Sequence, residues 1–201
     1  MTVLVGYASV FGSTREIADR LGRRLRGHGH QVVVRRLEEV TDLGGYDAVV
    51  AGSAVHQMAW MEPAATFVDE HRDELAELPV WLFSVGMPAA LRWPLRGVAT
   101  LLEKLTLDRT LRDVHARDHR LFSGVYERSM DDTLVGRLVF AVVAGRYGDY
   151  RDWEQVDAWA DQISAGLPAP RPRRSTRRGT ASGGGRGTAS GGGTVRSGRT
   201  G

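Results

Sequence analysis

The 201-residue sequence has no cysteine. That single absence removes disulfides, thiolate metal sites, iron–sulfur clusters and a cysteine nucleophile together. No apolar run approaches the roughly 18 residues needed to cross a bilayer. The most apolar stretch, Leu134–Gly145, is 12 residues long and contains Arg137. The opening residues MTVLVGY lack the basic region of a secretion signal, so a cytoplasmic protein is expected. An excess of one charge sign is also missing, but only on average. Lys and Arg number 27 against 24 Asp and Glu. Eight of the Arg and none of the acids lie after Leu167, which leaves 19 bases against 24 acids, a net of −5, for residues 1–167.

The composition shift marks a boundary. From Pro168 the chain reads PAPRPRRSTR, then RGTASGGG twice and TVRSGRTG, with ten Gly in its last 34 residues and a single Val as its only bulky apolar side chain. Such a segment buries too little apolar surface to offset its ordering entropy. The expected organisation is a domain over residues 1–167 and a disordered Arg/Gly/Ser-rich tail over 168–201. The tail's Arg are spread thinly, so no specific nucleic-acid partner is expected; attraction to anionic surfaces and simple solubilisation are both open to it.

Within the domain, Val3–Leu21 is the organising stretch. Val3, Leu4, Val5 and Tyr7 form a short apolar run typical of a buried strand. Ser9–Thr14 is a turn rich in hydroxyls and Gly, and Ile17, Leu21 and Leu25 then recur at helical spacing. A strand, a tight turn and a helix N-terminus bring free backbone N–H groups and the hydroxyls of Ser9, Ser13 and Thr14 to one place, which suits a phosphate. No Lys follows Gly12, so the turn is not a P-loop, and no G-x-G-x-x-G is present.

Further strands are predicted over 31–35, 46–54, 79–86 and 119–126, with helices over 62–78, 134–145 and 153–165. Alternating strands and helices imply a parallel sheet with right-handed crossovers. Ligands of such sheets lie beyond the strands' carboxyl ends. Three loops qualify: Ser9–Thr14, Ala54–Met61 and Val85–Pro94. Phosphoacceptor receiver domains share the topology but need acids after the first and third strands. Here those strands end Tyr7-Ala8-Ser9 and Gly52-Ser53-Ala54.

The run Tyr7, Ser9, Gly12, Thr14, Ala18, Leu21 resembles the flavodoxin signature, an aromatic followed by S/T-x-x-G-x-T-x-x-x-A-x-x-L. Gly6 departs from the bulky residue usual there. The resemblance implies an α/β, flavodoxin-like, doubly wound five-stranded parallel sheet with helices on both faces, and FMN as cofactor. It places Ser9, Val10, Phe11, Gly12, Ser13 and Thr14 around the FMN phosphate. Ala54, Val55, His56 and Trp60 in the second loop, and Ser84, Val85, Gly86 and Met87 in the third, are expected at the flavin ring. Trp60 can stack on the ring or pack on the following helix; His56 can approach the ring edge or sit at the surface. No metal is implied.

The segment Gly148-Asp-Tyr-Arg-Asp-Trp-Glu-Gln-Val156 is similar to the Y-T/R-D-W-x-x-V element of menaquinone-dependent protoporphyrinogen oxidases, a flavodoxin-like branch. That resemblance implies an oxidoreductase passing electrons from a protoporphyrinogen-like small molecule to a quinone. A flavodoxin-type electron carrier and a nicotinamide-dependent quinone reductase stand as alternatives. No side chain stands out as a general base, so the redox chemistry falls to the flavin. A quinone partner implies peripheral membrane contact, for which the basic 87–118 interval, with Arg92, Trp93, Leu95 and Arg96, is the candidate.

Overall fold

The structure is a computed structural model, and it describes residues 1–56, 59–86, 114–126 and 148–167. These lie within a unit spanning Met1–Arg171. The predicted helix over 134–145, the tail over 168–201 and most of the basic 87–118 interval lie outside the described residues.

The chain begins with β1 (Thr2–Ala8), whose residues after Thr2 are all buried. It continues through α1 (Ser13–Gly27), β2 (Gln31–Arg36), a 3₁₀ turn at Leu37–Glu39 and β3 (Ala48–His56). A two-residue strand, β4 (Ala59–Trp60), is followed by α2 (Glu62–Glu70), α3 (Arg72–Glu77) and β5 (Val80–Gly86). The described remainder holds β6 (Asp118–Ser123), β7 (Val125–Tyr126), β8 (Gly148–Asp149) and α4 (Trp153–Gly166).

β1, β2, β3, β5 and β6 make the expected parallel sheet, in the order β2-β1-β3-β5-β6. Strand parity decides which residues meet which helices. Val3, Val5 and Tyr7 face α1 and α4, packing with Ile17, Leu21, Val156, Trp159 and Ile163. Leu4 and Ala8 face the other way, onto Leu37, Ala64, Phe67 and Val68. A sheet covered on both faces explains why its central strands read as continuous apolar runs. Gly6 belongs to the second face: a Cβ there would fall 2.3 Å from Leu37 Cδ2. Its lack of a side chain is therefore a packing requirement.

Three expectations change. The predicted 62–78 helix is two helices, broken at His71 (φ −106°, ψ 20°). His71 is buried, its ring nitrogens 2.9 Å from Glu74 Oε1 and 3.3 Å from the Val40 carbonyl oxygen, so the break seats a polar ring against the 37–43 connection. The predicted fifth strand ends at Ser123 rather than Tyr126. Gly124 N–H donates to the Gly86 carbonyl (2.9 Å), and Val125–Tyr126 turns away to pair antiparallel with β8. The expected 54–61 loop is largely a hairpin, because β3 runs on to His56 and pairs antiparallel with β4.

The order of the strands positions the site. The chain moves from β1 outward to β2, then returns past β1 to β3, so the direction of winding reverses between β1 and β3. At that reversal neighbouring crossovers lie on opposite faces and leave a crevice beyond the strand ends. The register aligns those ends: Ala8 with Ser53, Ala54 with Val85, and Gly86 with Ser123.

Candidate functional site

The turn after β1 enters this crevice directly. Gly12 is the residue before α1 and has φ +92°, a left-handed conformation that costs an L side chain roughly 1–2 kcal/mol. Ser9 Oγ accepts the Gly12 N–H at 3.1 Å, which closes the turn on itself. No side chain caps α1, so the N–H groups of its first turn have no side-chain acceptor at the positive end of the helix dipole.

Thr14 is the telling residue. It is fully buried, and its Oγ1 is the buried side-chain polar atom without a hydrogen-bond partner among the described residues. A buried hydroxyl left unpaired costs about 1–3 kcal/mol, so its presence beside uncapped amides fits a group that arrives with acceptor oxygens. A phosphate meets that need. Val10 and Phe11 stand in solvent, 67% and 61% exposed.

The other expected residues divide. Ala54 and Val55 are half-buried and His56 is exposed at the end of β3, beside the turn's strand. Val85 and Gly86 close β5 in the same row of strand ends. Met87 lies outside the described residues, as do Gln57 and Met58. Trp60 takes the packing role: it is 5% exposed within the α2-side core, and its Nε1–H donates to Ser84 Oγ at 2.8 Å. Ser84 is fully buried; its Oγ accepts from Trp60 and lies 2.9 Å from His119 Nε2, donor and acceptor there being set by the imidazole tautomer. The Ser84 hydroxyl is thus occupied within the sheet. Ser53 fixes the hairpin, accepting from Met61 N–H (3.0 Å) and donating to the Ala54 carbonyl (2.9 Å).

The structure adds residues that the sequence reading did not single out as site residues. A Cβ on Gly124 would lie 3.2 Å from Ser13 Oγ and 3.0 Å from Val85, so the exit of β6 presses against both the turn and β5. Tyr150 N–H donates to the Gly124 carbonyl (3.2 Å), bringing the Gly148–Trp153 segment to the same place. Arg151 then reaches Glu16, in the first turn of α1, at 2.6 Å. Hydrogen bonding to Asp149 raises the Arg151 pKa, and Arg151 in turn holds the Asp149 carboxyl below its ordinary value. The sequence marked this segment only through the resemblance of Gly148–Val156; the distant partner Glu16 left no local trace.

The family model described as "Flavodoxin domain" matches residues 4–125, more than half of the chain. Among solved structures, oxidised flavodoxin 1 from Bacillus cereus is 17% identical, with a TM-score of 0.54 over 84% of this chain and 100% of that one. A flavodoxin from the domain Archaea is 15% identical, TM-score 0.53, over 83% and 99% respectively. A flavodoxin mutant from Pseudomonas aeruginosa is 13% identical, TM-score 0.52, with the same coverage. At these identities the likeness carries the fold. No curated protein matches the sequence.

Proposed function

This chain belongs to the flavodoxin-domain family, and on that footing we propose that it is an FMN-dependent oxidoreductase passing electrons from a protoporphyrinogen-like substrate to a quinone. The cofactor is FMN. The observation that carries the site is the buried, unpartnered Thr14 hydroxyl beside the uncapped start of α1. Ser9, Gly12, Ser13 and Thr14 would hold the phosphate through hydroxyls and backbone N–H groups. Ala54, Val55 and His56, with Val85 and Gly86, would flank the ring. When bound, the flavin supplies one- and two-electron redox chemistry. The chain's own part is to bind it, orient it and keep one side of it dry.

What supports the oxidase branch is the Gly148–Trp153 segment. The residues that carry that resemblance are held to the phosphate helix through Arg151 and Glu16, and Asp152 begins α4 by accepting Gln155 N–H at 3.0 Å. A quinone partner places the protein at a membrane surface, by peripheral contact, since among the described residues no helix is long and apolar enough to cross. The carrier reading is favoured by the company the fold keeps, because the solved structures that match it include flavodoxins.

Steady-state oxidation of protoporphyrinogen with a menaquinone analogue tests the proposal. Turnover that depends on both substrates is the expected result. Absence of turnover, together with rapid reduction by a ferredoxin reductase, would establish the carrier reading instead. NAD(P)H-dependent quinone reduction would establish a quinone reductase.

A further inference from the structure

Arg151 lies in the turn between β8 and α4, with its side chain only 11% exposed. Its Nε and Nη2 clamp the Asp149 carboxylate at 2.8 and 2.6 Å, and its guanidinium lies over the Trp153 ring, 4.7 Å from the centroid. Nη1 crosses to Glu16 Oε2 at 2.6 Å, a partner 135 residues away. With one edge on Asp149, its remaining nitrogen on Glu16 and a face on Trp153, this arginine is committed and is no direct phosphate clamp. Its reach is nonetheless to the first turn of α1, two residues beyond Thr14.

The charges decide what that reach does. Two carboxylates share one guanidinium, so the Arg151–Asp149–Glu16 group carries a net −1. Glu16 alone suits a bare helix start, because a carboxylate there complements the dipole. The same carboxylate opposes a phosphate that comes to the same helix start. Arg151 offsets part of that opposition.

We infer that Arg151 is a positioning residue that sets the phosphate affinity of the α1 turn by neutralising Glu16. The inference rests on the FMN reading above. It makes the phosphate, rather than the ring, the part of the cofactor that senses Arg151. An arginine that merely tethered β8 and α4 would affect both parts alike.

The test is fluorescence titration of the full-length protein with FMN and with riboflavin, which lacks the phosphate, at low and high salt. Glu16→Gln keeps an acceptor for Nη1 but takes the group from −1 to neutral. It is expected to tighten FMN by roughly three- to tenfold, the scale of one unit charge acting across a partly wet turn, with riboflavin unchanged. Arg151→Gln takes the group to −2 and is expected to weaken FMN by a similar factor, again sparing riboflavin. The double variant lacks the carboxylate that Arg151 offsets, so it is expected to escape most of the Arg151→Gln loss. High salt compresses the shifts of both single variants. Equal shifts for FMN and riboflavin in Arg151→Gln, or no change in the FMN-to-riboflavin ratio in Glu16→Gln, would overturn the inference. Should Arg151→Gln fail to fold, Arg151→Met, whose stem can still pack on Trp153, takes its place: FMN weakened with riboflavin spared supports the inference, and an unmoved ratio overturns it. A parent protein that binds neither flavin fails the FMN reading itself, a result distinct from an unmoved ratio in a parent that binds both.

Discussion

At Thr14 the free protein and the flavin complex make opposite demands. Its buried hydroxyl has no partner among the described residues, so replacing it with a methyl of the same shape removes an unsatisfied group. Thr14→Val should therefore hold or raise the melting temperature of the flavin-free protein while weakening FMN by about 1–3 kcal/mol. Thermal melts without flavin and fluorescence titration with it read the two effects separately; unchanged FMN affinity would remove Thr14 from the phosphate site. Gly6 supplies a second residue-scale case. The missing side chain that departs from the flavodoxin signature is what lets Leu37, itself 1% exposed, lie against β1. Gly6→Ala should cost about 1–3 kcal/mol by overpacking. Because the obstruction is one side chain, a Leu37→Ala background should tolerate the change, and urea midpoints of the four proteins give that non-additivity directly.

Between elements, α1 and α4 are joined by a ladder of charge. Arg20 Nε donates to Asp157 (2.7 Å), Arg24 Nε to Asp161 (2.7 Å), and His28 Nε2 to the same Asp161 (2.6 Å). Arg20 holds the Asp157 carboxyl below its ordinary value, and Arg24 with His28 does so for Asp161. Nearby, burial pushes the Asp118 carboxyl up, but hydrogen bonds from Trp159 (2.7 Å) and Arg120 (3.1 Å) outweigh it and leave it lowered. Burial also lowers the His30 pKa, so the fold prefers its neutral ring. All four shifts have one sign. A folded pKa below the unfolded one means that the unfolded chain binds protons first, so stability falls as pH falls. The His30 contribution should fade below about pH 6.5, and the carboxylate contributions should fade from about pH 4 downward, the unfolded values. Urea midpoints between pH 8 and pH 3 should show both steps, and Asp161→Asn should flatten the acid one. A midpoint that stays level across pH 4 would mean that these exposed pairs are fully screened. The ladder also shows what kind of information a sequence holds. Both helices were legible from the spacing of Ile17, Leu21, Val156 and Ile163, as were the five parallel strands and the turn before α1, because each signal is local. That Arg20 meets Asp157, or Arg151 meets Glu16, depends on how distant elements pack, and no local period records it. Trp60 stayed ambiguous for the same reason: its choice was made by Ser84, on a strand not adjacent in sequence.

For the molecule as a whole, charge is divided along the chain: residues 1–167 carry a net −5, and the segment after them holds eight Arg and no acid. A quinone partner would require the acidic domain to approach a surface that itself carries negative charge, so cationic segments must do the attracting. Two are available in the sequence. One is the interval that begins just after β5, where Arg92, Trp93, Leu95 and Arg96 mix cations with apolar anchors; β5 ends at Gly86, in the row of strand ends that frames the site. In the chain the interval directly follows a strand that ends at the site, whereas the tail follows α4. The proposal favours the interval, with the tail adding charge attraction. The full-length protein should sediment with liposomes containing anionic lipid at low salt and remain in solution at high salt. Arg92→Glu with Arg96→Glu should abolish sedimentation, and replacing the eight tail arginines by serine should only weaken it. The reverse pattern, binding lost with the tail arginines but kept in the Arg92/Arg96 variant, would move the attachment to the tail and leave the quinone without a defined route to the flavin.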